Sequence, residues 1–196
     1  MTEHYYTHEP TSRHEEHAFA LDCAGRTLQF ETDAGVFSKL KLDTGTALLL
    51  KALPENFHGR ALDLGCGWGA VGCCMAARWP QAEIVLCDIN ERAVALAREN
   101  LRRNRLRGEA FCGDGLDAVE GSFGLIAVNP PIRAGKAVVY RLFEQSAQRF
   151  GEGGCLYVVM RKAQGAESAE KELKTRFARV ETVERGSGYR VFRAEK

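Results

Sequence analysis

The sequence has little net charge and no long apolar run, and these two absences limit the classes of protein to which it can belong. Its 196 residues carry 27 Lys and Arg against 26 Asp and Glu, so the chain as a whole does not attract nucleic acid or an anionic membrane. No apolar run approaches the roughly 20 residues of a membrane span, and the polar N-terminus lacks the basic and apolar regions of a secretion signal. We therefore predict a soluble, cytoplasmic protein with no membrane partner.

Cysteine and histidine are present, but not in patterns that bind metals or form disulfides. The seven cysteines are odd in number, lie inside apparently regular segments and lack the spacing of a disulfide framework or a zinc site. Four of the five histidines fall in the first 17 residues without an accompanying cysteine or acid pattern. We predict no metal site and a reducing compartment.

Apolar strands alternate with helical segments from about residue 60 onward, which predicts an α/β fold with a parallel sheet covered on both faces. The last two apolar runs are joined by Arg185-Gly-Ser-Gly188 with no helix between them, so they should form an antiparallel hairpin. The predicted strands are about Arg60–Leu64, Ala82–Cys87, Ala110–Cys112, Leu125–Val128, Cys155–Met160, Arg179–Glu184 and Tyr189–Ala194. The predicted helices are about Ala70–Trp79, Glu91–Asn104, Ala137–Phe150 and Ala166–Phe177.

The composition of residues 1–59 differs from that of the rest of the chain, and we predict that they form a small N-terminal extension to a larger domain over residues 60–196. Arg26–Glu31 and Val36-Phe37 bracket residues 32–35, which have the composition of a hairpin turn. Asp43 or Thr44 is placed to cap a helix that carries residues 47–53. The extension should therefore contain a β-hairpin and an entrance helix.

The strongest motif is LDLGCGWGAVG, residues 62–72, a strand that turns into a helix through closely spaced glycines. Gly65, Gly67 and Gly69 let a ligand lie directly on the backbone, with the N–H groups of the helix N-terminus pointing at it. Asp63, just before the first glycine, would repel a pyrophosphate and attract a ligand that carries cationic amino and sulfonium groups, which describes S-adenosylmethionine. A dinucleotide remains the alternative, because Gly67, Gly69 and Gly72 also satisfy G-x-G-x-x-G.

Two acids follow the next two strands. Asp88, in CDIN at residues 87–90, can accept from both hydroxyls of a ribose, and Asp114, in GDG at residues 113–115, can accept from an adenine amino group. Either acid alone could be a helix cap or a turn residue. Because carboxyl ends of neighbouring parallel strands meet at one edge of a sheet, together they predict one crevice.

The third motif is NPPIRAGK, residues 129–136, which follows a buried strand. The Asn129 carboxamide oxygen and the Pro130 carbonyl are two acceptors held in fixed directions. Such a pair can orient a planar amino group and stabilise the positive charge that grows on its nitrogen during attack on a methyl sulfonium. The motif predicts catalysis of N-methylation. The alternative is that Pro-Pro simply ends the strand.

These motifs resemble those of the class I S-adenosylmethionine-dependent methyltransferases, and more closely the RsmC-like group that methylates guanine N2 in small-subunit ribosomal RNA. The segments HYYTHEP, residues 4–10, and TDAGVFSKLKLDTGTALLL, residues 32–50, extend the resemblance over nearly the whole chain. It implies a doubly wound seven-stranded sheet of order 3-2-1-4-5-7-6 that ends in an antiparallel hairpin. The two-domain RsmC enzymes carry an additional N-terminal half, and the resemblance is to the single-domain members, so we expect this protein to lack that half.

The resemblance also implies a set of site residues, grouped by the part of the reaction that they would serve. Catalysis would fall to Asn129 and Pro130. The cofactor would be held by Thr46, Asp63, Gly65, Cys66, Gly67, Gly69, Asp88, Ile89, Asp114, Gly115 and Asn129, and the substrate by Phe37, Lys39, Lys41, Pro131, Ile132, Arg133 and Lys136. Ile132 is a departure, because many N-methyltransferases have an aromatic residue there that stacks on the target base.

The motifs thus predict an S-adenosylmethionine-dependent N-methyltransferase, and the resemblance implies guanine N2 of ribosomal RNA as its target. The basic residues around the Asn-Pro corner, Lys39, Lys41, Arg133 and Lys136, would position a phosphate backbone. Three alternatives stay open: methylation of a protein glutamine or a small amine, a non-catalytic module that only binds S-adenosylmethionine, and an NAD oxidoreductase.

Overall fold

A seven-stranded sheet forms the centre of the molecule. The computed structural model describes residues 17–33, 36, 42–117 and 119–196. The strands of this sheet are β3 (Arg60–Leu64), β4 (Glu83–Asp88), β5 (Glu109–Cys112), β6 (Phe123–Val128), β7 (Phe150–Arg161), β8 (Arg179–Gly186) and β9 (Tyr189–Glu195). Their order is β5-β4-β3-β6-β7-β9-β8, with β9 antiparallel to both of its neighbours. The predicted order and the terminal hairpin are confirmed.

Helices cover both faces of the sheet. They are α1 (Thr44–Ala52), α2 (Ala70–Arg78), α3 (Glu91–Arg103), α4 (Lys136–Gln148) and α5 (Ala166–Arg176), with short 3-10 turns at Ile132–Ala134 and Lys162–Gln164. Successive strand residues point to opposite faces, so Ala61 packs with α1, α2 and α3 while Leu62 packs with α4 and α5. Two apolar cores therefore enclose the sheet, as in other doubly wound proteins. Within the described residues, no helix is long and apolar enough to cross a membrane.

The boundary between α4 and β7 differs from the prediction. The helix was expected to continue to Phe150, but it ends at Gln148, and Phe150 already pairs with Phe123 at the start of β7. Residues 151–154, Gly-Glu-Gly-Gly, have the composition of a loop but belong to β7. A Cβ on Gly154 would stand 2.8 Å from the Phe150 Cβ and 2.9 Å from the Phe123 carbonyl oxygen, so glycine permits this close pairing.

The N-terminal hairpin also differs from the prediction. It pairs β1 (His17–Cys23) with β2 (Arg26–Thr32) through a turn at Ala24-Gly25, and not through a turn at residues 32–35. Both turn residues have positive φ, 52° at Ala24 and 72° at Gly25, as a two-residue hairpin turn requires. In this hairpin the partner of β2 is β1. Of the predicted turn and strand, residues 34, 35 and 37 lie outside the described residues.

The hairpin docks on α3 through two asparagines that take the place of a neighbouring strand. Asn100 accepts from Glu31 N at 2.8 Å and donates to Glu31 O at 2.9 Å, and Asn104 forms the same pair of bonds with Gln29, at 2.7 Å each. The two asparagines lie four residues apart on one helical face. Their amide groups form the backbone hydrogen bonds that a further strand would otherwise make with the outer edge of β2. Asn100 also donates to Trp68 O at 2.8 Å, which ties the hairpin to the glycine loop.

Candidate functional site

A cavity of about 940 Å³ lies along the carboxyl ends of the parallel strands. Ligand pockets commonly measure roughly 300–1,000 Å³, so this one has room for a cofactor and part of an acceptor. The predicted site residues that line it are Thr46, Asp63, Gly65, Cys66, Gly67, Asp88, Ile89, Asp114, Gly115, Asn129, Pro130, Pro131, Ile132 and Arg133. The fold thus brings most of the predicted site together in one place.

The glycine loop after β3 presents its backbone to this cavity. Gly65 has φ of 72° and Gly67 of 53°, conformations that glycine adopts readily and other residues rarely. The N–H groups of Gly65 and Cys66 both donate to Cys87 O at 2.9 Å, which fixes the loop to the end of β4. A Cβ on Gly65 would meet nothing within 4 Å, so glycine is needed there for its backbone conformation and not for lack of space.

Gly69 lies in the turn between β3 and α2, as predicted, and packs against α3. It precedes α2 with φ of 89°, and its α-carbon faces α3, where a Cβ would stand 3.1 Å from Ala97. Gly72 is similar, since a Cβ there would overlap the Leu86 side chain at 2.4 Å. These two glycines allow α2 to pack closely against its neighbours, and neither is among the residues that line the cavity.

Asp63 is a buried acid beneath the loop. The residue is 3% exposed, and its Oδ2 accepts from Gly72 N at 2.7 Å. Burial raises the pKa of Asp63 to about 7; the Gly72 N–H opposes this shift and the nearby charge of Asp88 adds to it. An ionised Asp63 is therefore costly in the empty protein, and a cation in the cavity would relieve that cost.

Asp88 lies at the end of β4, beside the loop. Its Oδ2 accepts from Gly67 N at 2.8 Å and its Oδ1 from Asn90 N at 2.9 Å. Burial raises the pKa of Asp88, and these two backbone donors oppose that rise. Because an ionised carboxylate has about four acceptor positions, each oxygen retains capacity to accept from a ligand in the cavity.

Asp114 forms an ion pair that the sequence analysis missed. Arg141 of α4 donates to both of its oxygens, at 2.7 Å and 2.6 Å, and this pairing lowers the pKa of Asp114. The two side chains are 48% and 40% exposed and both residues line the cavity. An arginine in the middle of an amphipathic helix carries no sequence signal that would identify this partner.

The Asn129 side chain is oriented by α1. Its amide nitrogen donates to Thr46 Oγ1 at 2.9 Å and to Asp43 Oδ2 at 3.2 Å. The same Asp43 oxygen caps α1 by accepting from Thr46 N at 3.1 Å, so one carboxylate fixes both the helix and the amide. With its nitrogen committed to α1, the carboxamide directs its oxygen away from Thr46 and Asp43. Sequence analysis anticipated Asp43 as a cap but not as a partner of Asn129.

The cavity continues past Asn129 to the end of β7 and the start of β9. Arg161, Gln164 and Tyr189 line this part, and none of them was predicted as a site residue. Arg133 also lines the cavity, whereas Lys136 begins α4 and is not among the lining residues that the structure describes. The predictions for Phe37, Lys39 and Lys41 concern positions outside the described residues. No group of three or more metal-ligating side chains occurs in the described part of the chain.

These features fit S-adenosylmethionine. The molecule carries a cationic amino group, a sulfonium and a ribose with two hydroxyls. The cavity offers a buried carboxylate at Asp63, an acceptor at Asp88 and an open backbone surface at Gly65 and Gly67.

Comparisons with known proteins identify the family. A family model described as methyltransferase small domain matches residues 27–193. YbxB of Bacillus subtilis (strain 168), described as uncharacterised, is 36% identical over 200 residues that span all of both chains. The ribosomal RNA small subunit methyltransferase C of Pseudomonas putida (strain W619) is 35% identical over 91% of this chain and 54% of its own length.

Solved structures agree with this relationship. The T. thermophilus 16S rRNA N2 guanine methyltransferase RsmC, solved in complex with AdoMet and guanosine, superposes with a TM-score of 0.84 at 30% identity. That match covers 95% of this chain and 52% of the RsmC chain, so this chain spans about half the length of the RsmC relatives. A methyltransferase from Pyrococcus furiosus, 20% identical with a TM-score of 0.64 over 82% of this chain and 88% of its own, shares the fold. The chain therefore belongs to the methyltransferase small domain family, as an RsmC-like class I S-adenosylmethionine-dependent methyltransferase.

Proposed function

We propose that this protein transfers a methyl group from S-adenosylmethionine to the N2 amino group of guanine in ribosomal RNA. The observation that carries the proposal is the orientation of Asn129, whose amide nitrogen is bound by Thr46 and Asp43. Asn129 and Pro130 both line the cavity, and in this arrangement the carboxamide oxygen and the Pro130 carbonyl would serve as two adjacent acceptors. An amino group with two N–H donors matches them.

Cofactor binding is assigned to the half of the cavity over β3, β4 and β5. Asp63 would balance the charge of the methionine part, and the backbone of Gly65, Cys66 and Gly67 would lie against it. Asp88 would accept from the ribose hydroxyls, with Ile89 beside it. The predicted role of Asp114 and Gly115 at the adenine stays part of the proposal, now with Arg141 as a neighbour of Asp114.

The chemical role of the protein is to orient the acceptor amine. When bound, S-adenosylmethionine supplies a sulfonium methyl group, whose carbon–sulphur bond breaks as the carbon–nitrogen bond forms, after which the amine loses one proton to solvent. Asn129 and Pro130 would accept from the two N–H groups and direct the nitrogen lone pair at the methyl carbon. Their partial negative charges would stabilise the positive charge that grows on nitrogen in the transition state.

Ribosomal RNA is proposed as the acceptor because of the RsmC relatives and the basic residues near the corner. Arg133 lines the cavity beside Pro131 and Ile132. With a net charge of +1, the chain must hold an RNA backbone through a local group of cations, and Arg133 with Lys39, Lys41 and Lys136 is the predicted group. The division into residues 1–59 and 60–196 and the cytoplasmic location remain predictions.

The alternatives differ in what carries the amine. A glutamine side chain or a small amine also presents two N–H donors, so the Asn-Pro corner by itself permits both. A binding-only module would have no use for an oriented Asn129. The family match favours a methyltransferase over an NAD oxidoreductase.

The decisive experiment offers competing acceptors to the full chain. Small ribosomal subunits and free 16S rRNA from a strain without this methylation would be incubated with methyl-labelled S-adenosylmethionine, in parallel with a glutamine peptide. Mass spectrometry of the digested RNA should detect N2-methylguanosine, and Asn129→Ala should remove it. Label in the peptide alone, or in a different nucleoside, would refute the guanine assignment.

A further inference from the structure

The cavity has two parts that meet at Asn129. The part over β6, β7 and β9, here called the acceptor half, is lined by Asn129, Pro130, Ile132, Val159, Arg161 and Tyr189. Because the cofactor motifs lie over β3, β4 and β5, an acceptor whose amine is held at Asn129 must place its remaining atoms in this half. A guanine acceptor would place its flat ring system in this half, whereas a glutamine acceptor would place only an aliphatic chain there.

The acceptor half contains an aromatic ring. Among the described residues that line the cavity, the aromatic ones are Trp68 and Tyr189. Trp68 belongs to the glycine loop, is 3% exposed, and is packed edge-on by Phe19 and Phe30 of the hairpin. Tyr189, in contrast, is half-buried at the start of β9 and faces the acceptor half.

The position of the Tyr189 ring is built into the fold. A Cβ on Gly45, in the first turn of α1, would stand 2.9 Å from Tyr189 Cε1 and 2.9 Å from Asp43 Oδ2. Glycine at this position therefore lets the ring lie next to the carboxylate that orients Asn129. The guanidinium of Arg161, the residue paired with Tyr189 between β7 and β9, lies over the ring at 5.9 Å from its centroid.

We propose that Tyr189 is the surface on which the target base stacks, a specificity-determining role that rests on the proposed methylation of a nucleobase. Proteins that act on one base of an RNA take it out of its own stack and replace that stacking with aromatic side chains. Ile132, next to the Asn-Pro corner, offers an aliphatic surface only. Tyr189 supplies the aromatic one from a distant part of the chain.

Guanosine binding to the protein saturated with S-adenosylhomocysteine tests this role by calorimetry. Tyr189→Leu should weaken guanosine binding roughly 5- to 150-fold, the range for loss of stacking on one base, while Tyr189→Phe should bind like the wild type. Affinity for S-adenosylhomocysteine should not change in either variant. Tyr140→Leu is the matched control, because Tyr140 is a half-buried tyrosine on α4 that packs against Phe143 and is not one of the lining residues.

The outcomes separate this inference from the proposed function. Wild-type affinity in Tyr189→Leu, or a loss in Tyr189→Phe equal to that in Tyr189→Leu, would overturn the stacking role while leaving guanine methylation intact. A wild type that methylates the glutamine peptide and not RNA would instead refute the proposed function. If guanosine alone binds too weakly to measure, the KM for 16S rRNA makes the same comparison: it should rise in Tyr189→Leu and be restored in Tyr189→Phe. If Tyr189→Leu fails to bind S-adenosylhomocysteine, Tyr189→Gln is the second non-aromatic variant.

Discussion

Replacing Asp63 with asparagine should stabilise the empty protein and weaken its cofactor binding at the same time. Asparagine keeps the shape of the side chain and an oxygen to accept from Gly72 N, which lies 2.7 Å from Asp63 Oδ2. It removes the buried charge and replaces the second carboxylate oxygen by an amide NH2 group. Because burial raises the pKa of Asp63 from 3.8 to about 7, the folded protein binds a proton there more tightly than the unfolded chain does.

The magnitude and the pH window follow from this shift. Each pKa unit corresponds to about 1.4 kcal/mol, so the penalty of ionising Asp63 reaches roughly 4 kcal/mol once both states are ionised. Since the folded pKa is raised, the stability contributed by the protonated acid is fully present below pH 3.8 and is lost as the pH rises to about 7. The advantage of Asp63→Asn should therefore be under about 1 kcal/mol near pH 4 and roughly 4 kcal/mol at pH 8.

Urea unfolding of both proteins without ligand, at several pH values between 4 and 8, measures this difference. In the same series, Asp63→Asn should bind S-adenosylmethionine roughly 10- to 100-fold more weakly at pH 7, because a charge-assisted contact is lost. Wild-type affinity should rise from pH 5 to 7 as Asp63 ionises, and the contribution of Asp63 to that rise should vanish in the variant. Equal stability of the two proteins at pH 8, or a difference that does not depend on pH, would refute the reasoning.

Three further predictions concern the cofactor, the chemistry and the RNA. Asp88→Ala should weaken S-adenosylmethionine binding by about 2–4 kcal/mol, and unchanged affinity by calorimetry in a folded variant would contradict the ribose assignment. Asn129→Ala should lower the rate of single-turnover methyl transfer on the order of a hundredfold, with cofactor affinity within about tenfold of wild type. Thr46→Val removes the hydroxyl that positions Asn129 and should lower the rate less. A normal transfer rate in Asn129→Ala would mean that the corner only ends a strand. Lys39→Ala and Arg133→Ala should each weaken RNA binding by the same factor for all RNA sequences. Each should also reduce the slope of log affinity against log salt concentration by up to about one. An unchanged slope in binding measured across a salt series would argue against a phosphate contact.

Local patterns were sufficient to predict the sheet and the sequence motifs that lie at its carboxyl edge. The central strands β3, β4 and β6 are short, mostly apolar runs. The glycine loop follows β3, Asp88 ends β4 and Asn129 follows β6. Parallel strands bring their carboxyl ends to one edge, so residues that are local in sequence become neighbours without further information. The N-terminal hairpin was misplaced because its turn contains Ala24 with φ of 52°, an uncommon conformation for alanine that no composition rule signals.

Contacts between distant segments were decided only by the tertiary structure. Asn129 is oriented by Thr46, 83 residues earlier. The backbone of β2 is bound by Asn100 of α3 and by Asn104, which directly follows that helix. Tyr189 reaches the acceptor half because β9 returns antiparallel beside β7 and Gly45 leaves space for its ring. Periodicity and motifs describe how a segment meets its immediate neighbours along the chain. The packing of whole elements decides which hydroxyl, carboxylate or ring from a distant segment contacts the cavity. That packing is cooperative over the entire fold.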